Sequence, residues 1–151
     1  ATSYYDNLKT YKGLDGMKYL KTTHPDEAEA INWINEHIQG QPTLLEAQGD
    51  SYTDYNLVSA NTGLPTVLGW TVHEWLWRNS YDIIPQKQTD IQKIYETDKA
   101  NIAWGLIKQY DINYVFIGHF EKQKYKVKEE KFNEIGEPVY RNNATVIYKI
   151  K

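Results

Sequence analysis

The densest set of reactive side chains runs from Trp70 to Arg78, Trp-Thr-Val-His-Glu-Trp-Leu-Trp-Arg. On a helix, positions four apart share a face, which sets His73 with Trp77 and Glu74 with Arg78. A carboxylate beside a guanidinium suits a polar ligand, and His73 with Glu74 has the groups for acid–base work or metal binding. The His-Glu-x-x-His zinc motif is incomplete, because Trp77 and Arg78 stand where its second histidine is sought. A structural or ligand-binding role is therefore expected ahead of a catalytic one. A second set is Glu46, Asp50 and Asp54. Paired carboxylates can run glycoside chemistry or hold a hard cation. For Asp50 and Asp54, bonds to nearby backbone N–H groups in a turn are the simpler role. Glu46 differs, since it interrupts an apolar strand. It is expected either to find a partner, with Arg78 the natural candidate, or to sit at the edge of a cleft. His119 reads as an isolated surface histidine. Glycine-rich phosphate loops and the Gly-x-Ser-x-Gly nucleophile motif are missing from the sequence, and no cofactor or metal is expected.

The elements that would position these groups follow from periodicity and from helix start and stop signals. Residues 1–22 read as an irregular lead-in packing through Leu14, Met17, Tyr19 and Leu20. A helix starts near Pro25, which suits a first turn, and Asp26, Glu27 and Glu29 favour its positive end. Its apolar positions are Ile31, Ile34 and Ile38, and Gly40 with Pro42 stops it. Strands are expected at 43–47, 66–69 and 113–118, and short helices at 57–61 and 72–79. A loop broken by Pro85 spans 81–88. Two further helices follow, one carrying Ile91, Ile94 and Tyr95, the next Ile102, Ala103, Leu106, Ile107 and Tyr110. Residues 121–133 are expected as one charged helix, and 139–150 as a hairpin turning at Asn142-Asn143. This order predicts an α/β fold: a three-layer sandwich with a mainly parallel sheet, right-handed crossovers and a C-terminal β-hairpin. The whole of 1–151 reads as a single soluble domain, with the body at 23–151. The loops after the three parallel strands should meet at the carboxyl edge of the sheet, where functional groups of such folds collect.

Composition narrows the function classes. A formal charge of −3 gives no basic footprint for nucleic acid. The locally basic stretch 121–131, with five lysines against three glutamates, reads as a solvated face. There are no cysteines, so disulfides and thiolate metal sites are ruled out. No apolar run reaches the roughly 20 residues of a membrane span. Thirteen tyrosines and five tryptophans suit half-wet surfaces such as interfaces, sugar platforms and membrane-facing belts. The start at Ala1-Thr2-Ser3 reads as that of an excised piece or a processed protein, and the chain as a piece of a larger membrane-anchored one.

Leu14-Asp15-Gly16-Met17, Leu45-Glu46-Ala47, Ser51-Tyr52-Thr53-Asp54-Tyr55 and Val58-Ser59 form a pattern with the long run Thr62-Gly-Leu-Pro-Thr-Val-Leu-Gly-Trp70. With His73-Glu74 and Trp77-Arg78, and on through Tyr114–Gly118 to Lys131-Phe132, it resembles the C-terminal portion of the YYY-type polytopic membrane proteins of archaea and Chloroflexi-like bacteria. The resemblance covers nearly the whole chain, with departures at His119-Phe120 and Lys122. It implies a membrane part similar to GT-C glycosyltransferases that use lipid-linked sugars, with the catalytic carboxylate there and this domain outside the cytoplasm. Glu46, Ser51, Tyr52, Tyr55, Trp70, His73, Glu74, Trp77 and Arg78 would then be binding residues, and none of them catalytic. They would face the transmembrane part of the same polypeptide, a lipid-linked sugar or a glycan acceptor. The alternatives are a self-contained carbohydrate-binding module using Tyr52, Tyr55, Trp70, Trp75 and Trp77, and a soluble hydrolase using Glu46, His73 and Glu74.

Overall fold

The computed structural model describes residues 16–50, 53–70 and 83–151. Its elements run α1 Gly16–Thr23, α2 Pro25–His37, β1 Thr43–Leu45, α3 Leu57–Thr62, α4 Ile83–Glu96 and α5 Ala100–Gln109. Then come β2 Ile112–Ile117, α6 His119–Lys124, α7 Glu130–Ile135, β3 Gly136–Arg141 and β4 Val146–Ile150.

The four strands form one sheet in the order β1-β2-β4-β3. β1 and β2 are parallel, and β4 is antiparallel to both β2 and β3. Alternate strand residues feed opposite faces, as the period of a strand requires. Leu45, Val115, Ile117 and Tyr148 pack with Ile91, Ile94, Ala103, Ile107 and Phe132 of α4, α5 and α7. Leu44, Phe116 and Ile147 pack the other way, with Leu20, Ile31, Ile34 and Val58 of α1, α2 and α3. The α/β layering and the hairpin match the reading of the sequence. In the hairpin, Asn142 closes the turn: its N–H donates to Thr145 O and its Oδ1 accepts from Ala144 and Thr145.

Several local readings change. The second expected strand shrinks to a single parallel bridge between Thr66 and Leu44. One parallel strand pair and that bridge therefore stand against two antiparallel pairs, and the sheet is mixed. The lead-in is helical from Gly16, and although Leu20 is buried, Tyr19 points to solvent. Pro85 lies inside the first turn of α4 rather than in a loop, where its missing N–H has no helical partner to lose. The charged stretch 121–133 is two short helices, α6 and α7, parted by an extended Tyr125. Lys131 explains the break. It is buried, and its ammonium donates to Tyr95 O and Lys128 O, closing the last turn of α4 from across the core. Desolvation brings that amine down to about 8.

At the outer edge, β3 carries Pro138, and its register with β4 slips between Pro138 and Tyr140.

Candidate functional site at the carboxyl edge of the parallel strands

β1 and β2 end side by side and release their following segments at one edge, with Thr66 bridged beside β1. Three buried glutamates organise that edge, each by accepting backbone N–H groups.

Glu46 follows β1 and is 2% exposed. Its Oε2 accepts from Val58 N at 2.8 Å and its Oε1 from Ser59 N at 3.1 Å. Those amides belong to the second and third residues of α3, donors that a helix start leaves without an internal partner. Glu46 thus caps a helix from a neighbouring strand. Its hydrogen-bond need is met there, and the expected partner Arg78 lies outside the described residues. Burial pushes the Glu46 carboxyl up, against the pull of the Ser59 and Val58 donors.

Glu121 stands at the third position of α6. Its Oε2 accepts from Gly118 N at 2.8 Å, the helix-to-cap half of a capping box. Its Oε1 reaches across to accept from Ala47 N at 2.7 Å. A single carboxylate therefore ties the segment after β1 to the turn after β2. Burial raises Glu121 to about 7, opposed by the Ala47 and Gly118 donors and reinforced by the charge of Glu46.

Glu27, in the first turn of α2, is likewise buried, and its Oε1 accepts from His119 N at 2.7 Å. Gly118 lies where these groups converge. A Cβ there would come within 2.8 Å of the Phe116 ring, 3.2 Å of Glu27 Oε1 and 3.4 Å of Glu121 Oε2. The space enclosed by the three glutamates is about 10 Å³. That is no more than the room one water needs. Among the described residues, no group of three or more histidines and carboxylates is arranged to hold a metal ion.

The loop after β1 folds back on itself. Asn56 takes the left-handed conformation, φ 62°, and its N–H donates to Ala47 O. Its Nδ2 donates to Leu68 O, and its Oδ1 accepts from Gly49 N. Gly49 lies directly beneath Tyr55, since a Cβ there would fall 2.3 Å from the ring. The Lys124 ammonium donates to Gln48 O and lies 4.8 Å from the Tyr55 ring centre, and the Phe120 ring meets Tyr55 edge-on with ring centres 5.5 Å apart. Trp70 Nε1 donates to Tyr55 O at 3.1 Å. A depression of about 240 Å³ is lined, among the described residues, by Asn56, Ser59, Ala60, Gly69 and Trp70.

Of the residues singled out from sequence, Glu46, Tyr55 and Trp70 meet at this edge. Glu46 lies beneath the surface, and Tyr55 and Trp70 are half-buried at it. Ser51, Tyr52, His73, Glu74, Trp75, Trp77 and Arg78 lie outside the described residues. His119 is exposed, its ring against Phe120. The sequence reading missed Glu27, Glu121, Asn56 and Lys124. For Glu121 a signal existed, a glycine followed three residues later by glutamate at a helix start.

No family model matches the chain, and no curated protein is similar to it in sequence. Among solved structures, the fold is similar to the C-terminal globular domain of the oligosaccharyltransferase from Archaeoglobus fulgidus, with a TM-score of 0.54. The match covers 83% of this chain and 97% of that one, at 13% sequence identity. At that identity the likeness establishes shared architecture.

Proposed function

We propose that this chain is an accessory domain of a polytopic membrane protein of the GT-C glycosyltransferase kind, and that the carboxyl edge of its sheet meets the rest of that protein. The observation that carries this reading is the likeness to a globular domain of an oligosaccharyltransferase, which spans almost all of that domain. The sequence motifs add to it. Residues 45–47, 51–55 and 62–70, which resemble the YYY-type membrane proteins, fall in and beside the segments leaving β1 and the Thr66 bridge. No helix of the described residues is long and apolar enough to cross a membrane.

On this reading, Glu46 serves the edge from within by fixing α3. Tyr55 and Trp70 form part of the surface, together with Ser51, Tyr52, His73, Glu74, Trp77 and Arg78. The surface would brace the membrane part or help seat a lipid-linked sugar or glycan acceptor, on the side of the membrane away from the cytoplasm. The Tyr55 ring already has Gly49, Lys124 and Phe120 against it. That favours an anchoring role over a free sugar platform.

The test uses full-length protein in membranes with a photo-crosslinking amino acid replacing Trp70. Crosslinks from this position to the membrane part or to a lipid-linked saccharide are expected. Their absence, with robust crosslinks from a position on β3 instead, would sink the reading.

A further inference from the structure

We infer that Glu121 is the positioning residue of the carboxyl edge, a clasp that holds the segment after β1 to the turn after β2 through its ionised carboxylate. This rests on the reading of that edge as the working surface. The geometry is specific. The two oxygens of one side chain serve two backbone donors 71 residues apart, Ala47 N at 2.7 Å and Gly118 N at 2.8 Å. β1 and β2 pair as far as Leu45 and Val115, and beyond them this carboxylate and the Lys124–Gln48 bond join the two departing segments. The segment clasped at Ala47 leads directly into Gln48–Asn56 and so sets where Tyr55 stands.

Here each carboxyl oxygen accepts from one of the two N–H donors, Oε1 from Ala47 and Oε2 from Gly118. An ionised carboxylate supplies both acceptors, whereas a protonated one presents an O–H to one of them. The clasp is therefore complete only while Glu121 is charged. Its surroundings make that charge responsive near neutral pH, because burial lifts the group to about 7. Of the groups facing it, the Glu46 charge acts in the same direction and the Ala47 and Gly118 donors oppose it. Glu27 from α2 and Glu46 after β1 are both buried carboxylates at the same small cavity, and Asp54 lines its outer side. Tyr95 of α4 and Tyr125 after α6 also interact with Glu121, and burial raises both phenols. His24 and His119 sit nearby around Phe120. Both cations of α6 are directed elsewhere, Lys122 at Ala144 O and Lys124 at Gln48 O. On acidification through neutrality one amide loses its acceptor and the clasp loosens at that point, leaving Lys124 on Gln48 O as the remaining tie beyond the strands. Glu121 thereby couples the working surface to the pH of the compartment it faces.

The experiment follows the backbone amides of Ala47 and Gly118 by NMR and hydrogen exchange in the chain 1–151, from about pH 5 to about pH 9. A second observable is the Glu121 side-chain carboxyl carbon. Both amides and the carboxyl carbon are expected to titrate with one shared midpoint near 7. In Glu121→Gln the shared titration should vanish. A glutamine offers one acceptor, so one of the two amides should exchange faster by about tenfold, the equivalent of one hydrogen bond to a charged group. Glu121→Asp, which keeps the charge but shortens the reach, should restore the titration without restoring both bonds. Independent titration of the two amides, or unchanged exchange in Glu121→Gln, would overturn the clasp. If Glu121→Gln does not fold, the wild-type carboxyl titration decides alone: a midpoint below about 5, an ordinary carboxylate, overturns it. These readouts do not depend on docking, so a failed crosslink from Trp70 with an intact shared titration counts against the proposed function and not against the clasp.

Discussion

The parallel side of the sheet and the hairpin side use glutamate in opposite ways. Around β1 and β2, Glu27, Glu46 and Glu121 are buried and bonded to backbone amides. Where their ionisation shifts, burial pushes it up, as in Glu46 and Glu121. On the hairpin side, Glu129 lies at the surface with Arg141 at 2.6 Å and the Tyr148 hydroxyl at 2.8 Å. Burial opposes its ionisation there too, yet the Arg141 and Tyr148 bonds prevail and hold its carboxyl below the usual range. The lesson concerns location. Buried acceptors at the parallel edge fix loop positions at the expense of stability, while the hairpin rests on apolar packing and can leave its charges in water.

The contrast breaks most easily in the hairpin core. Phe132 is fully buried against Tyr148, with ring centres 5.6 Å apart. Phe132→Ala should lower unfolding free energy by about 3–5 kcal/mol through lost burial and a cavity. Urea denaturation measures it, and a loss under about 1 kcal/mol would show that packing does not carry that half.

Next in size is the pH response, where the two glutamates have opposite signs. Glu121 has a raised native pKa, so its contribution to stability is fully present below about 4.5 and lost as pH rises through about 7. The loss is on the order of 3 kcal/mol. Glu129 is depressed, so its contribution is present above about 4.5 and lost as pH falls through its native value. Urea midpoints across this range, for wild type, Glu121→Gln and Glu129→Gln, should show the two slopes removed separately. Identical profiles in all three would erase the distinction.

A smaller effect probes the convergence point itself. Gly118→Ala should cost about 1–3 kcal/mol, because the added methyl meets the Phe116 ring and crowds two carboxylates. Gly105→Ala is its control, since a Cβ there meets nothing within 4 Å. That exchange in mid-helix should be neutral or stabilising in the same melt. The smallest effect belongs to the surface pair. Arg141→Ala should change stability by less than about 1 kcal/mol, since the arginine side chain is 54% exposed and water replaces much of what it offers. A larger loss in a double-mutant cycle with Glu129→Gln would mean that the hairpin, too, depends on its charges.

The layers were legible in the sequence because they follow from apolar spacing. The run Tyr114–Ile117 between polar ends announced β2, and Ile31 with Ile34 announced the buried stripe of α2. The strand at 66–69 was not legible as a bridge. Its apolar residues Val67 and Leu68 are indeed buried, but burial alone does not build a ladder. The single charged stretch at 121–133 concealed a buried Lys131, whose role depends on a carbonyl 36 residues away. Glu46 stood out as a charge in an apolar strand that calls for a partner or a cleft edge. Among the described residues its bonds come from the amides of α3, which no side-chain pattern advertises. Glu27 was indistinguishable from a solvated glutamate, since the long-range bond to His119 sets it apart, and for Glu121 the local capping pattern gave no hint of the bond to Ala47.

Pro138 and the slipped register beside it bear on how copies of this chain meet. An outer strand normally offers a row of free amides and carbonyls on which another chain can continue the sheet. Pro138 removes one donor from that row, and the slip between Pro138 and Tyr140 bends what remains out of line. Side-by-side growth into ribbons is thereby discouraged, and the hairpin edge ends the sheet instead of extending it into a second molecule.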